Sequence, residues 1–242
     1  HPGVDLSKGS LKHKYIRRAN HMYEDLCREL DVPFKRTGQY ACFTHKSWLP
    51  FVSLYAKWRR DHDGIEDTCI VMGDEIRKKE PKISADVAFA LSNPSSGSVS
   101  PYNLVIAYAE NAVQNGARVS LNTAVTGMDG SGGEIKAVYT NRGTIYPREV
   151  INCAGVYSDV VAQMAQDRFF SIHPRRGTNS ILDKKTGASF HGIASIVMSQ
   201  SPVQTHTKGG GILHTMHDNL LIGPDAVETP ERENTATNAE SI

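Results

Sequence analysis

The feature that most restricts this chain is the run Val150-Ile151-Asn152-Cys153, which passes directly into Ala154-Gly155 and then into a helical pattern over 157–166. A strand that is apolar on both faces belongs inside a parallel sheet. A small-residue turn from such a strand into a helix leaves backbone N–H groups open at the helix start, where phosphate or another polar cofactor group can be accepted without side chains. The same turn also serves as a plain strand-to-helix connection, so the residues themselves leave both readings open.

Around that run the pattern is mixed. Leu11, Tyr15, Ala19, Met22, Tyr23, Leu26 and Leu30 fall at helical spacing and predict one buried stripe, with Lys12, Lys14, Arg17 and Arg18 on the solvated face. Asp31-Val32-Pro33 ends that helix, and 37–43 reads as a strand. A second helix is expected over 47–63, with Ser47 as N-cap, Pro50 in its first turn and Gly64 past its end. A strand at 69–72 with a turn at 73–76 and a strand at 85–91 follow. Ser100 and Pro101 then open a helix over 102–115, expected to bury Val105, Tyr108, Ala109, Ala112 and Val113 and to stop at Gly116. Strands are expected at 118–121 and 124–128, and a hairpin pairs 135–140 with 144–147. Beyond the helix at 157–166 the spacing turns antiparallel, with strands at 169–173, 180–182, 193–198, 212–213 and 220–222 and a polar tail, mobile or incomplete, from 228. The fold class is therefore mixed α/β (α+β), with an antiparallel β-rich part.

Charge and cysteine content narrow the partners. Lys plus Arg number 27 against 26 acidic residues, a net charge of +1 that gives no reason to expect nucleic acid or an anionic membrane surface. The four cysteines lie far apart without C-x-x-C spacing, as free thiols in a reducing, cytoplasmic compartment do. His191, His214 and His217 have spacings that suit no metal set. Arg175 and Arg176 stand beside each other on an expected strand, so one should face solvent and the other a cavity. His206 and Lys208 alternate in the same way on T-H-T-K.

Several segments carry a resemblance. "NGARVSLNTAVTGM", a hairpin and then "VINCAGVYSDVVA" resemble the second half of the FAD domain in flavoproteins of the D-amino-acid oxidase superfamily, of the glutathione-reductase-like kind. Asn152, Ala154, Gly155, Ser158 and Asp159 match its N-x-A-G-x-x-S-D segment. The opening residues 1–40, "HPRRGTNSILDK" and "THTKGGGILHTMHDNLLIGPDA" are similar to FAD-dependent glycerol-3-phosphate and 2-hydroxyglutarate dehydrogenases. The resemblance implies a partial FAD-binding Rossmann-like domain joined to an antiparallel β-rich substrate (cap) domain. Its implied division is a linking helix over 1–29, cap segments at 30–100 and 169–242, and an FAD-domain piece at 101–168. It implies cofactor contacts at Val125, Ala154, Gly155 and Tyr157, and substrate contacts at His1, Arg176 and Lys208. Arg176 would clamp the substrate anion and His206 would be the base, both in a catalytic role.

The implied activity is oxidation of glycerol 3-phosphate to dihydroxyacetone phosphate, with electrons passed to an acceptor such as a quinone. An L-2-hydroxyglutarate or other 2-hydroxy-acid dehydrogenase is the alternative within the class, and a non-catalytic module of the same fold is the alternative outside it. Attachment of the parent to a membrane surface is left open. The G-x-G-x-x-G fingerprint is absent, since Gly209-Gly210-Gly211 precedes a strand-like segment, and the chain opens on His1-Pro2-Gly3 without Met. The expectation is an inner fragment that is inactive and holds no FAD by itself.

Overall fold

The structure is a computed structural model that describes residues 1–4, 6–65, 67–188, 190–196, 211–237 and 239. In chain order its elements are α1 (Leu11–Glu29), β1 (Phe34–Lys35), β2 (Tyr40–Phe43), α2 (Leu49–Asp63), β3 (Cys69–Met72), α3 (Gly73–Lys79), β4 (Phe89–Ser92), β5 (Ser98–Val99) and α4 (Pro101–Gln114). Then come β6 (Val125–Asp129), β7 (Ala137–Thr140), β8 (Gly143–Ile145), α5 (Ser158–Met164), β9 (Arg175–Arg176) and β10 (Ser180–Leu182). Last are α6 (Lys184–Gly187), β11 (Ile193–Ile196), β12 (Gly211–His214), β13 (Leu220–Gly223) and β14 (Val227–Glu228). The chain divides into two compact units, one holding His1–Asn115 and Gly177–Asp225, the other Gly116–Arg176 and Ala226–Asn238.

The first unit is built on a seven-stranded sheet in the order β10-β13-β12-β11-β2-β4-β3. Only the β11–β2 pair is parallel, with Ala194 opposite Tyr40, and the other neighbours run antiparallel. Strand alternation gives the sheet two apolar faces. Phe43, Phe89 and Leu91 pack with Val52 and Ala56 of α2, and the Phe43 and Phe89 rings stack at 4.8 Å. On the opposite face Cys42, Ala90 and Ala194 pack with Ile76 of α3, Val87 and Phe190. Gly73 is where α3 leaves β3, and a Cβ there would lie 2.1 Å from the Val87 carbonyl, so the close approach itself requires glycine.

The helices start and stop largely where the sequence signals them. The Ser10 side chain accepts from His13 N–H at the head of α1, and Ser100 accepts from Asn103 N–H at the head of α4. Gly64 closes α2 at φ 62. Ser47 does not cap α2, because it lies inside a short 3₁₀ turn over Lys46–Trp48 that precedes the helix. The expected turn at 73–76 is the first turn of α3.

Burial departs further from expectation. On α1 the buried residues are His13, Asn20 and Cys27, two turns apart, while Leu11, Tyr15 and Met22 of the expected stripe are exposed. Asn20 is satisfied by the Ser95 carbonyl and by Arg36, partners distant in the chain. On α4 only Leu104 is buried, and Val105, Tyr108, Ala109, Ala112 and Val113 are all exposed.

The second unit carries an antiparallel sheet in the order β6-β7-β8, the two-stranded ribbon β9–β14, and α5. The expected strands at 118–121, 150–153 and 169–173 do not form. A strand is defined by its ladder neighbours, and among the described residues these segments have none. Their apolar side chains therefore lie open, with Ile151 83% exposed and Leu121 73%.

Candidate functional site

The first unit holds a cavity of about 1000 Å³ over one face of its sheet. Ala41 and Phe43 of β2 and Leu91 of β4 form its floor, and Phe51, Val52 and Tyr55 of α2 form a wall. His1 lies on its rim, and the rest of its polar lining includes Gln39, Asn93 and Ser195, with no Lys or Arg among the described residues. Of these, His1 is a contact the resemblance implies, while Gln39 and Asn93 stand in no motif of the sequence.

Gly3, Val4, Leu6 and Lys8 are fastened to the end of α2 around a buried ion pair. The Arg59 side chain is 1% exposed and the Asp63 side chain is fully buried, and the two hydrogen-bond across one helical turn. Arg59 Nη2 also donates to the carbonyls of Gly3 at 2.6 Å and Leu6 at 2.7 Å. Tyr55 Oη donates to the Val4 carbonyl, and Lys8 Nζ lies 3.4 Å from Asp63 Oδ1 while donating to the His62 carbonyl. His1 accepts through Nδ1 from Gly3 N–H at 3.0 Å. His1 is thus held at the cavity through its bond to Gly3, whose carbonyl Arg59 fixes. Nothing in the charged run Arg59-Arg60-Asp61-His62-Asp63 distinguishes this inward pair from a solvated face.

In the second unit, Asp159 gathers three segments. Its Oδ1 accepts from Arg232 Nη1 at 2.7 Å and Val160 N–H at 3.0 Å, and its Oδ2 accepts from Arg232 Nη2 at 2.9 Å and Ile172 N–H at 3.0 Å. The bidentate Arg232 fork, and then the Ile172 N–H, hold this carboxyl far below the usual carboxylate range. Arg232 also donates to the Val156 carbonyl, which ties the segment after β14 to the Ala154-Gly155 turn. The tail expected to be mobile or incomplete is fastened at Arg232 by Asp159, at Glu233 by Tyr157 and at Asn234 by Arg176.

The turn itself is open. Asn152 Oδ1 accepts from Ala154 N–H and its Nδ2 donates to the Ser158 carbonyl, fixing a bend in which Gly155 has φ 56 with nothing within 4 Å of where a Cβ would stand. Tyr157 donates to Glu233, and that hydrogen bond raises the phenol pKa. Val125, the first residue of β6, is also exposed. The exposed Val125 and Gly155 and the half-buried Ala154 leave room for the close approach of a nucleotide.

Arg176 lies on β9 opposite Val227 and donates from Nη1 to Asn234 Oδ1 at 2.9 Å. Arg175 and Arg176 are both half-buried, and the Nε of each is buried without a hydrogen-bond partner among the described residues. His206 and Lys208 lie outside the described residues. No group of three His, Cys, Asp or Glu among the described residues could hold a metal ion.

Comparison with known proteins adds the following. The sequence profile of the FAD dependent oxidoreductase family matches residues 1–242. The chain is 33% identical over 243 residues to a glycerol 3-phosphate dehydrogenase of Caloramator mitchellensis, covering 100% of this chain and 49% of that protein. It is 33% identical over 180 residues to an L-2-hydroxyglutarate dehydrogenase of Indibacter alkaliphilus, covering 73% of this chain and 44% of that protein. The chain therefore spans about half the length of the curated relatives it matches. Its fold is that of an L-α-glycerophosphate oxidase of Mycoplasma pneumoniae solved with FAD bound, at TM-score 0.83 and 20% identity, covering 100% of this chain and 63% of that one. An L-proline dehydrogenase of P. horikoshii shares it at TM-score 0.82 and 19% identity, over 95% of this chain and 59% of that one.

Proposed function

Because this chain belongs to the FAD dependent oxidoreductase family, we propose that it forms part of an enzyme that oxidises glycerol 3-phosphate to dihydroxyacetone phosphate. The observation that carries this reading is the 33% identity to a glycerol 3-phosphate dehydrogenase along the whole of this chain. Oxidation of an L-2-hydroxy acid such as 2-hydroxyglutarate is the second reading, supported by 33% identity over a shorter stretch. Electrons leave to an acceptor such as a quinone.

In this reading Val125, Ala154, Gly155 and Tyr157 would hold the ADP part of FAD, and His1 would lie toward the flavin. Bound FAD supplies the acceptor for a hydride from the carbinol carbon. His206 takes the hydroxyl proton as the base, and Arg176 and Lys208 hold the substrate anion. Of the implied segments, 101–168 serves the cofactor and 30–100 with 169–242 the substrate. The apolar floor and wall of the cavity exclude water from the reacting carbon. The test is dye reduction by the FAD-loaded enzyme of which this chain is part, with glycerol 3-phosphate and L-2-hydroxyglutarate as separate substrates. Turnover with the first and little with the second is expected, the reverse selects the second reading, and turnover with neither rejects both.

A further inference from the structure

We propose that Gln39 and Asn93 form a donor-only anchor for the anionic oxygen group, phosphate or carboxylate, of the substrate in the cavity lined by His1. The inference rests on reading that cavity as the substrate site.

The two residues are neighbours across adjacent strands. Gln39 N–H donates to the Asn93 carbonyl at 3.1 Å and Asn93 N–H to the Gln39 carbonyl at 2.9 Å, one step beyond the Tyr40–Ser92 register of β2 and β4. Reciprocal pairs of this kind stand about 5.5 Å apart between Cα atoms. Strand alternation puts Gln39 on the same face as Ala41 and Phe43, and Asn93 on the same face as Leu91, and all five line the cavity. Two carboxamides therefore lie side by side on its floor.

Their orientation is fixed from behind. Ser96 Oγ donates to Gln39 Oε1 at 3.1 Å, and Thr68 Oγ1 donates to Asn93 Oδ1 at 2.9 Å. Ser96 and Thr68 are both fully buried, and neither hydroxyl has another acceptor among the described residues. A reversed amide would leave those hydroxyl protons unused in the core, which is costly. Both amide oxygens are thereby turned inward. The nitrogens Gln39 Nε2 and Asn93 Nδ2 have no partner among the described residues, although Asn93 is only 4% exposed.

A surface that only donates selects a group that only accepts. A hydroxyl also needs an acceptor for its own proton, whereas the oxygens of a phosphate or carboxylate accept alone. No Lys or Arg stands among the described lining residues, so these amides supply neutral donors in addition to the Arg176 and Lys208 of the proposed function. Neutral donors of fixed geometry hold an anion through short, charge-assisted hydrogen bonds.

The test is calorimetric titration of inorganic phosphate and, separately, acetate into the FAD-loaded enzyme of which this chain is part and into its Gln39→Glu variant. Glutamate keeps an oxygen for Ser96 and replaces the outward donor with a negative charge, so packing survives while anion binding falls by about 10-fold or more. Asn93→Leu, near-isosteric and without a donor, is expected to lower it similarly, and Gln39→Glu decides alone if that variant does not fold. Tighter phosphate binding marks a phosphorylated polyol as substrate, and tighter acetate binding marks a hydroxy acid. The proposal is overturned if the wild type binds neither ion, if Gln39→Glu binds them as the wild type does, or if the variants change FAD affinity alone. Anion binding lost in Gln39→Glu without turnover of either substrate would leave the anchor standing and remove the functional reading. Turnover with anion binding untouched by Gln39→Glu would do the reverse.

Discussion

Asp159 holds its charge through two arginine N–H groups and two backbone N–H groups, and this sets a pH dependence. Its folded pKa lies below the ordinary 3.8, so its contribution is complete above that value and is lost as pH falls through the folded pKa. Asp159→Asn should therefore lower the melting temperature at neutral pH by at least a few degrees, with the difference shrinking below about pH 4. A constant difference across a pH series of thermal melts would contradict this. Arg59 poses a starker case, because removing it leaves Asp63 buried without its guanidinium partner. Arg59→Ala should cost about 3–5 kcal/mol in denaturant unfolding, with Arg59→Lys recovering part of it. Cysteine reactivity offers a simpler check. Burial pushes the Cys42 thiol up to about 11 and raises Cys27 as well, while Cys69 and Cys153 are exposed. Alkylation at neutral pH should modify the latter two first, as mass spectrometry of labelled peptides would show. In the catalytic reading, Arg176→Ala should raise KM roughly 10- to 150-fold through loss of a charge-assisted contact. His206→Ala should instead lower kcat more than it raises KM, since proton removal belongs to the transition state.

At the level of elements, what the sequence made legible was local. Ser100 with Pro101, and Gly64, each mark a helix end through a side chain or a backbone angle acting within four residues. What it concealed was decided by partners far along the chain. Asn20 is buried because Ser95 and Arg36 satisfy it, and the Gln39–Asn93 pair exists because β2 meets β4. The apolar segments at 118–121 and 150–153 read as strands from composition, yet among the described residues they have no ladder neighbour and form no strand. The site divides in the same way, for the Ala154-Gly155 turn is a local motif while the fastening of His1 through Arg59 is not. Two substitutions separate tight packing from open surface. Gly73→Ala must displace the Val87 carbonyl or α3 and should destabilise by about 1–3 kcal/mol. Ile106→Lys, on the open face of α4, should change the stability of residues 1–242 by no more than about 0.5 kcal/mol.

For the whole molecule, FAD is the informative probe. The G-x-G-x-x-G turn that would present helix N–H groups to the pyrophosphate is absent from this sequence. Residues 1–242 produced alone should therefore purify colourless, and a stoichiometric flavin spectrum would show that the second unit grips the nucleotide unaided. The interleaving of the two units has a temporal side as well. The parallel pair at the middle of the large sheet joins Tyr40 to Ala194, and the whole second unit except its last segment is made between them. On a ribosome adding ~5–20 residues per second, β2, β3 and β4 wait on the order of ten seconds for β11. Throughout that interval the free edge of β2 is one that a chaperone, or another nascent chain, can reach first.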